Sequence, residues 1–465
     1  MNYLKQLART AVQPHGKVRL LDDLSLLLWE GYAVAKAPRL HVASATRTAA
    51  APEGAAAPAD QATRERYLDA QFWRTHVLEN LLPFWERHSP DHECGGFILH
   101  LDRQARVYDA EADKSSGFQA RMVYAFAAGY GLGGRESHLA IARRGVEFLI
   151  DRFWDPNHGG WYHSIRRDGT VRKAEKPLLY QGMVLLALLE YYRVSRDAGI
   201  TRYLDDTRDL VERHGWDARR LGYCLSCDQD WTVALPQKTL CAQLLFLAVE
   251  LLAYRVSAEP KHLDRLGVLA DLLVTRMRDR KFGLLLENYH EDWRYHPLLN
   301  RDRILIGHQF KAARLLLEAS RANSNEAFSV AARALVDRGL EVGWDHRHGG
   351  LFQNAFRNGM VISGDKEWWA ETEGLPAVLL LHQVSGEARY LESFTRLAEF
   401  CFTHFVDPTH GEWFTMCHAD GSVKDANKGG HWKAAFHTVQ AGVETCLLLL
   451  QGAPATSPAV DGTTK

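Results

Sequence analysis

The chain lacks the features that would carry it to or through a membrane. Its 465 residues contain no window of about 20 consecutive apolar residues, the length that a membrane-spanning helix needs. The first 30 residues lack the charged start, apolar stretch and small-residue cleavage site of a secretory signal. We therefore expect a cytoplasmic protein that does not insert into a membrane.

Neither sign of charge is in excess. The 56 Lys and Arg residues balance 57 Asp and Glu residues, and no basic run with interleaved aromatic residues stands out. Nucleic acids and anionic membranes attract proteins through basic patches. We therefore expect neither of them as a partner.

Cysteine is scarce and does not follow a pairing pattern. The seven cysteines are odd in number and scattered, which is not typical of a disulfide framework. Cys224 and Cys227 form one CxxC motif, but no second CxxC or HxxxH follows at the distance of a zinc finger. We therefore expect reduced thiols and no metal site.

What the chain does have is a glycine-marked unit that recurs six times. The markers are Gly96, Gly160, Gly222, Gly283, Gly350 and Gly411, at steps of 64, 62, 61, 67 and 61 residues. A unit of this length holds two helices and a short hairpin, and six such units can close into a ring. The repeat predicts one domain over residues 66–450. Before it we expect an N-terminal extension (1–45) and an Ala/Pro-rich linker (46–65), and after it a disordered tail (451–465).

Each unit has the same internal order. A helical pattern ends before the glycines, an alternating stretch follows, and a more apolar helix comes next. The pairs Asp168-Gly169, Asn358-Gly359 and Asp420-Gly421 predict two-residue hairpin turns with positive φ at both positions. The apolar helices are expected at residues 116–130, 177–194, 236–254, 304–319, 366–384 and 431–450. The predicted fold class is all-α, an (α/α)6 barrel with short β-hairpins on one rim.

The first turns of the apolar helices should line one shared cavity. Aligning them places six polar or aromatic groups at comparable depths: Arg121, Gln181, Thr239 with Cys241, His308, Trp369 with Glu371 and Glu373, and His437. Purely structural positions would favour small apolar residues, because an unpaired buried charge is costly. This polar variety indicates a binding site.

Two histidines are candidates for proton transfer. His308 stands in Gly307-His308-Gln309 at the start of a helix, whose amino end favours the neutral imidazole that a general base needs near pH 7. His437 is expected at the corresponding place in the last unit. The alternative is that both are packed core histidines.

Tryptophans crowd the same rim and are compatible with a sugar ligand. Flat aromatic faces beside hydrogen-bonding groups suit the CH faces and hydroxyls of a sugar. Packing at the junctions of helix and hairpin is the alternative interpretation. The residues concerned are Trp161, Trp231, Trp293, Trp368, Trp369, Trp413 and Trp432.

Several motifs, taken in order, resemble the N-acylglucosamine 2-epimerase family over about residues 66–450. They are Gly95-Gly96-Phe97, Gln119-Ala120-Arg121, Gly159-Gly160-Trp161-Tyr162, Gly307-His308-Gln309, Lys366-Glu367-Trp368-Trp369, Gly411-Glu412-Trp413-Phe414, and Trp432-Lys433 with His437.

The resemblance implies a reaction without metal or cofactor, namely proton transfer at C2 of an open-chain sugar. His308 and His437 would move the proton and Arg121 would hold the enediolate oxygen. The candidate substrate-binding residues are Trp368, Trp369, Glu371, Trp432, Gln181, Thr239, Lys311 and Tyr124. A small carbohydrate is the expected partner, and a homodimer is compatible with the sequence.

The chain departs from the family pattern at several positions. Lys311 stands where the family has a glutamate three residues after the histidine, and a cation there should disfavour the imidazolium of His308 and weaken this base. Gln181 and Thr239 match positions that carry histidines in various members.

Two alternatives to a sugar epimerase or isomerase therefore stay open. A family member repurposed to bind a sugar or a glycosylated metabolite is one. A glycoside hydrolase or lyase is the other, with Asp365, Glu371, Glu373 and Glu412 as its candidate carboxylates. Glu371 and Glu373 are two residues apart and do not share a helical face.

Overall fold

The structure, a computed structural model, describes residues 60–452. The predicted extension (1–45), linker residues 46–59 and tail residues 453–465 lie outside the described residues. Residues 61–65, which the sequence assigns to the linker, belong to a helix, α1 (Gln61–Tyr67), whose N-terminus is capped by the Asp60 side chain accepting the Thr63 N–H.

Six apolar helices form an inner ring. Each packs against the next, and the sixth packs against the first, so that the ring is closed. This closure is what the glycine spacing predicts, and it confirms the (α/α)6 barrel. The inner helices are α4 (Ser116–Gly131), α6 (Leu178–Ser195), α8 (Leu240–Ser257), α11 (Ile306–Asn323), α13 (Trp368–Ser385) and α15 (Phe436–Gly452).

Amphipathic helices form the outer layer and bury one face against the inner ring. They are α2 (Ala70–Thr75) and α3 (Leu82–His88) joined by a π turn (His76–Leu81), α5 (Glu136–Phe153), α7 (Thr201–Leu210) with a π turn (Val211–Gly215), α9 (Pro260–Leu272) with a π turn (Leu273–Met277), α12 (Glu326–Gly343) and α14 (Ala388–His404). A short helix, α10 (Pro297–Asn300), lies within the fourth hairpin region.

Helix α8 is long and apolar enough to cross a membrane by length and composition, with a mean hydropathy of 1.6 over 18 residues. Of that window 67% is buried inside the barrel. This is the pattern of a core helix whose apolar surface is covered by its neighbours.

Short antiparallel strands join neighbouring repeats on one rim. The strand before an inner helix pairs with the hairpin of the following repeat, as Lys114 does with Ile165 and Lys366 with Cys417. The strands are β1 (Lys114–Ser115), β2 (Ser164–Ile165), β3 (Val171–Lys173), β4 (Lys176–Pro177), β5 (Ser226–Cys227), β6 (Val233–Leu235), β7 (Lys238–Thr239), β8 (Asn288–Tyr289), β9 (Arg303–Leu305), β10 (Asn354–Phe356), β11 (Lys366–Glu367), β12 (Met416–Cys417) and β13 (Val423–Asp425).

Backbone hydrogen bonds also close the rim between the two ends of the barrel sequence. The N–H groups of Lys428 and Gly429 donate to the carbonyl of Leu101, at 2.9 and 3.1 Å. The last repeat is thus tied to the first hairpin in the manner of the other junctions.

The hairpin turns differ from the prediction in one respect. Gly169 has φ of 92°, and Asp168 is not among the described residues with positive φ. The Gly169 N–H donates to the Arg166 carbonyl at 3.0 Å, and the strands shift register by one residue beside this turn. The turn therefore follows the three-residue pattern in which only the glycine adopts the left-handed region.

Two inner helices begin four or more residues later than predicted. Helix α8 starts at Leu240 rather than at residue 236, because residues 233–239 contribute strands β6 and β7 to the rim. Helix α15 starts at Phe436 rather than at residue 431. Trp432 and Lys433 therefore lie in an irregular segment before the helix.

A buried aspartate organises the glycine turn of every repeat. In the second repeat, Asp155 Oδ1 accepts the N–H groups of Asn157 and His158 at 3.0 and 3.2 Å, and its Oδ2 accepts Lys176 Nζ at 2.9 Å. Lys176 also donates to the Gly159 carbonyl at 2.6 Å. Because Lys176 lies in the strand that begins the next inner helix, this pair fixes the start of that helix relative to the turn.

The same pairing recurs around the ring. Five of the six aspartates bind such a lysine, and these lysines are at most 2% exposed. The pairs are Asp91–Lys114, Asp155–Lys176, Asp217–Lys238, Asp345–Lys366 and Asp407–Lys428. The fourth repeat is the exception, because Ile304 occupies the lysine position and Arg357 of the next hairpin binds Asp279 at 2.7 Å instead.

Replacing one of these lysines should destabilise the barrel. Lys176→Met leaves the Asp155 carboxylate buried without its cation, and breaking a buried ion pair costs about 3 kcal/mol or more. Urea denaturation should therefore show a lower free energy of unfolding. The control is Lys261→Met, whose ion pair with Glu259 is about half exposed and contributes little. Equal unfolding midpoints for the two variants would contradict the role assigned to Lys176.

Candidate active site

The two candidate histidines both lie beside Trp369. The ring centroid of Trp369 is 5.1 Å from that of His308 and 6.2 Å from that of His437. The indole Nε1 donates to Glu367 Oε2 at 2.7 Å, which fixes the ring. A Cβ on Gly307 would come within 2.4 Å of the Trp369 ring, so glycine is required there. The structure thus brings together residues of the fourth, fifth and sixth repeats.

His308 is the third residue of α11 and is bound by a carboxylate. Its Nδ1 lies 2.7 Å from Oε2 of Glu287, whose Oε1 accepts the Leu305 N–H at 3.1 Å. Burial lowers the pKa of His308, but the Glu287 carboxylate and the Cys241 side chain outweigh it and raise the pKa to about 10. The expectation of a neutral imidazole at this helix terminus was wrong, because the ion pair dominates over the helix dipole.

His437 is the second residue of α15 and also has a carboxylate on Nδ1. Glu373 Oε1 lies 3.1 Å away. Here burial lowers the pKa of His437 to about 4, since Lys311 and Arg121 add positive charge that offsets the attraction of Glu373. The two histidines therefore differ in charge at neutral pH, with His308 protonated and His437 neutral.

Lys311 is directed at Glu373. Its Nζ lies 2.9 Å from the same Oε1 atom that binds His437. Burial works to raise the pKa of Glu373, but Lys311 and His437 hold it well below its ordinary value. Lys311 is not among the groups that shift the pKa of His308. The prediction that Lys311 weakens His308 as a proton carrier was wrong, and its electrostatic effect falls on His437.

Arg121 reaches into the cavity from α4, and the carbonyl oxygen of Trp432 holds it. Its Nη1 donates to that oxygen at 2.8 Å, and the guanidinium lies 5.6 Å from the centre of the Trp432 ring. Burial lowers the pKa of Arg121. Within residues 60–452 Arg121 forms no ion pair, and its buried Nε has no hydrogen-bond partner. A ligand oxygen carrying negative charge would supply what this cation lacks.

Three further candidates differ in how open they are. Trp432 is 36% exposed and lies at the mouth of the cavity, whereas Trp368 is 2% exposed with Lys433 over its ring. Tyr124 lies one turn below Arg121 and packs edge-on against Phe436, at 4.8 Å between ring centroids. Burial raises the pKa of Tyr124 well above its ordinary value. Of the three, Trp432 is the one that a ligand can reach from solvent.

The sequence alignment placed Gln181 at the cavity, but its side chain binds the backbone. It belongs to a set of inner-helix side chains, called here the structural set, that hold the residue following each glycine turn. Its Oε1 accepts the Trp161 N–H at 2.9 Å and its Nε2 donates to the Trp161 carbonyl at 2.7 Å. Both polar atoms are thus used to hold the backbone after the glycine pair. The residues with the same contacts in other repeats are Gln119 on Phe97, Gln243 on Tyr223 and Gln309 on Leu285.

Glu371 is the fifth-repeat member of this set. Both of its carboxylate oxygens accept the Leu351 N–H, at 2.9 and 3.0 Å, and burial raises its pKa to about 8. Arg121 lies two residues after Gln119 and so is not the counterpart of Gln181. The alignment was wrong in phase, and we leave Gln181 and Glu371 out of the candidate ligand contacts.

Thr239 and the CxxC motif also have structural surroundings. The Thr239 hydroxyl caps α8 by accepting the Ala242 N–H at 3.3 Å. The Cys224 and Cys227 sulfurs are buried and 3.9 Å apart. The neighbouring Cys224 thiol and burial raise the pKa of the Cys227 thiol. Within residues 60–452 no group of three His, Cys, Asp or Glu side chains is placed to hold a metal ion.

Sequence reasoning missed Glu287, although the glycine spacing contains a signal for it. Glu287 stands two residues after Leu285, the backbone partner of Gln309. The equivalent residue in the second repeat, His163, also binds a carboxylate, with its Nδ1 2.7 Å from Glu175. Alternation along the hairpin strand sends this position toward His308, whereas most residues predicted for the site lie near the starts of the inner helices.

These features define an α/α toroid with two His–Glu pairs beside Trp369. A model of the N-acylglucosamine 2-epimerase (GlcNAc 2-epimerase) family matches residues 95–441. The chain belongs to this family, as the resemblance in the sequence implies.

Characterised relatives cover most of the chain. A cellobiose 2-epimerase of Bacteroides fragilis is 27% identical over 389 residues, which is 80% of this chain and 97% of the relative. A D-mannose isomerase of Marinomonas mediterranea is 24% identical over 383 residues, which is 80% of this chain and 95% of the relative. The structure of a cellobiose 2-epimerase from Spirochaeta thermophila superposes with a TM-score of 0.76 at 25% identity, over 84% of this chain and 98% of that one. These similarities support the predicted class, a carbohydrate 2-epimerase or isomerase.

Exchanging glutamine and glutamate in the structural set should change stability in opposite directions. The folded pKa of Glu371, about 8, lies above the ordinary value of 4.5, so that ionisation in the unfolded state lowers stability as pH rises between these values. Glu371→Gln removes this cost and should raise the melting temperature, more at pH 8 than at pH 5. The matched variant Gln181→Glu should lower it. Calorimetry at both pH values tests this prediction. A change in melting temperature of Glu371→Gln that is the same at pH 5 and pH 8 would contradict it.

Proposed function

We propose that the protein is a carbohydrate 2-epimerase or aldose–ketose isomerase that transfers a proton at C2 of an open-chain sugar. One observation carries the proposal: two histidines flank Trp369, each with Nδ1 on a carboxylate, and their pKa values shift in opposite directions. Pairs of titratable groups driven apart in this way are typical of acid–base sites. The names of the relatives, cellobiose 2-epimerase and D-mannose isomerase, support the same class of reaction.

His437 is the base in this proposal. Neutral at pH 7, and with Nδ1 directed to Glu373, it takes the proton from C2 through Nε2. The electron pair of the C2–H bond forms the C1=C2 double bond, and the electrons of the C1 carbonyl move onto O1. Arg121, a cation without an ion pair among the described residues, stabilises this enediolate oxygen.

His308 is the acid. It is protonated at neutral pH because of Glu287, and its ring, like that of the base, lies beside Trp369. Delivery of its proton to the opposite face of C2 gives the 2-epimer. Return of the proton to C1 instead, with transfer of the proton on O2 to the O1 oxyanion, gives the ketose. Exchange with water then restores both histidines.

The aromatic residues suit the same substrate. Trp369 offers an edge or face between the two imidazoles, and Trp432 offers an exposed face at the mouth. Sugar CH groups stack on such faces, while hydroxyls bind the polar groups around them. A sugar bound along this path would extend from the histidines toward Trp432.

The carboxylates that a glycoside hydrolase would need are engaged elsewhere. Glu371 holds the Leu351 backbone, and Glu412 binds Trp85, Trp413 and Thr438 in a fully buried position. Asp365 accepts the Ser363 hydroxyl and pairs with Lys424. Of the four candidates only Glu373 lies beside a site histidine, and there it is bound by His437 and Lys311, as Glu287 is bound by His308. Hydrolysis requires two facing carboxyl groups that can act on the substrate. The observations favour proton transfer over hydrolysis.

The other alternative is a family member repurposed to bind a sugar. It rested in part on Lys311, which stands where the family has a glutamate after His308. Glu287 supplies a carboxylate to that histidine from a different element, the hairpin of the fourth repeat. The acid–base pair is therefore fully supported by carboxylates in this chain.

Replacing either histidine should abolish turnover without unfolding the protein. Wild-type protein incubated with a panel of aldoses in D2O should incorporate deuterium at C2 of a 2-epimer or at C1 of a ketose, as read by NMR and mass spectrometry. His308→Ala and His437→Ala should each lower kcat by about 100-fold or more. The control is His410→Ala, on an exposed turn outside the cavity. Absence of exchange with every aldose, or unchanged kcat in both variants, would refute the proposal.

Glu287→Gln should move the alkaline limb of the pH–rate profile. The carboxylate raises the pKa of His308 to about 10, so that its removal should lower that pKa by about 1–3 units. The acid form is then lost at lower pH, and kcat/KM should begin to fall at correspondingly lower pH. Glu291→Gln, in the same hairpin and about half exposed, is the control. An alkaline limb common to all three proteins would contradict the role given to Glu287.

A further inference from the structure

One carboxylate oxygen is shared by a lysine and a histidine at the axis. Glu373 Oε1 lies 2.9 Å from Lys311 Nζ and 3.1 Å from His437 Nδ1. The three residues come from α11, α13 and α15, so that the contact joins three successive inner helices. Two donors on a single oxygen fix its position more narrowly than either would alone.

Within residues 60–452, Glu373 is the one carboxylate that forms an ion pair with Lys311. Its side chain is 13% exposed and that of Glu373 is 4% exposed, and the ammonium lies 5.8 Å from the centre of the Phe436 ring. Arg314, one turn further along α11, adds a second positive charge on the Glu373 side and is itself paired with Glu318 and Glu444. Glu373 is therefore ionised and shared, rather than available to His437 alone.

Within the described residues, the contacts of the corresponding pair at His308 include no lysine. Glu287 binds the Nδ1 of His308 and a backbone N–H. Two otherwise similar His–Glu pairs thus differ in one component, the lysine. Because a lysine next to the carboxylate competes for its charge, the imidazolium of the neighbouring histidine is stabilised less.

Three charged groups face His437 from the elements packed against it, within the part of the chain described. They are Glu373 of α13, Lys311 of α11 and Arg121 of α4. Glu373 favours protonation of His437, and the two cations oppose it. Both cations act on His437 in the resting enzyme, and Lys311 is the one that contacts the shared oxygen.

We propose that Lys311 is a positioning residue that sets the direction of proton transfer, by holding the shared Glu373 oxygen so that His437 serves as the base. This inference rests on the proposed proton-transfer function. It gives the substitution of a cation at this position a definite role. His308 and His437 have similar partners, and the lysine decides which of them removes the C2 proton and which returns one.

Three variants separate charge from packing. Lys311→Met removes the charge and keeps the length, Lys311→Gln keeps a hydrogen-bond donor without the charge, and Lys311→Arg keeps the charge. Loss of the cation should raise the pKa of His437 by about 1–2 units. The acidic limb of kcat/KM should shift to higher pH by the same amount in the Met and Gln variants. At a pH on that limb, kcat/KM of these two variants should be about 10- to 100-fold lower than that of the wild type. The Arg variant should retain the wild-type limb.

A titration that does not need turnover accompanies the kinetics. The imidazole carbon and proton signals of His437, assigned by comparison with His437→Ala, should titrate about 1–2 pH units higher in the Met and Gln variants than in wild type and the Arg variant. Titration at the same pH in all four folded proteins would overturn the proposal. A shifted titration without activity on any aldose would refute the proposed function and leave the Lys311 contact intact. Normal turnover with an unshifted titration would support the proposed function and overturn the role given to Lys311.

Discussion

The ion pair between a turn aspartate and the lysine of the following strand is the contact on which the rest of the barrel depends. Its aspartate gathers the N–H groups of a glycine turn, and in four repeats its lysine belongs to the strand that leads into an inner helix. In those repeats the pair fixes the start of the inner helix relative to the turn. The candidate acid–base residues lie within the first two turns of these helices, so that their mutual placement follows from five buried ion pairs and one substitute, Arg357 on Asp279.

A nearly six-fold scaffold carries a site that is not symmetric. The glutamine contacts with the backbone recur in the first four repeats, and they use the same helix phase each time. The side chains that differ between repeats are those one or two positions away from that glutamine, such as His308 and Arg121. The repeated contacts hold the backbone, which leaves the neighbouring positions free to vary and to acquire chemistry.

The glycine spacing was sufficient to predict the ring but not the site. Closure depends on the number and length of the repeats, which the sequence displays directly. The phase of each inner helix depends on the segment before it, and these segments differ. Helix α4 begins 20 residues after Gly96 and α6 begins 18 residues after Gly160, whereas the irregular stretch ahead of Phe436 places the start of α15 25 residues after Gly411. An alignment of the first turns of the inner helices grouped Gln181 with Arg121, although hydrogen bonding groups Gln181 with Gln119. The partner of Lys311 lies on a different helix, 62 residues away in sequence, and no local pattern indicates it.

The backbone bonds from Lys428 and Gly429 to Leu101 join residues more than 300 positions apart. An open solenoid can gain order one repeat at a time from either end, but in this molecule the final junction waits for the last residues of the barrel to emerge from the ribosome. The Arg121 contact with Trp432 forms at that same junction, and the His437 contact with Glu373 also needs the last repeat. Nascent or truncated chains that lack this repeat would thus hold five sixths of the scaffold and the His308 contact with Glu287 but not the second histidine. A sugar would meet the complete site only in a chain that had been finished and closed.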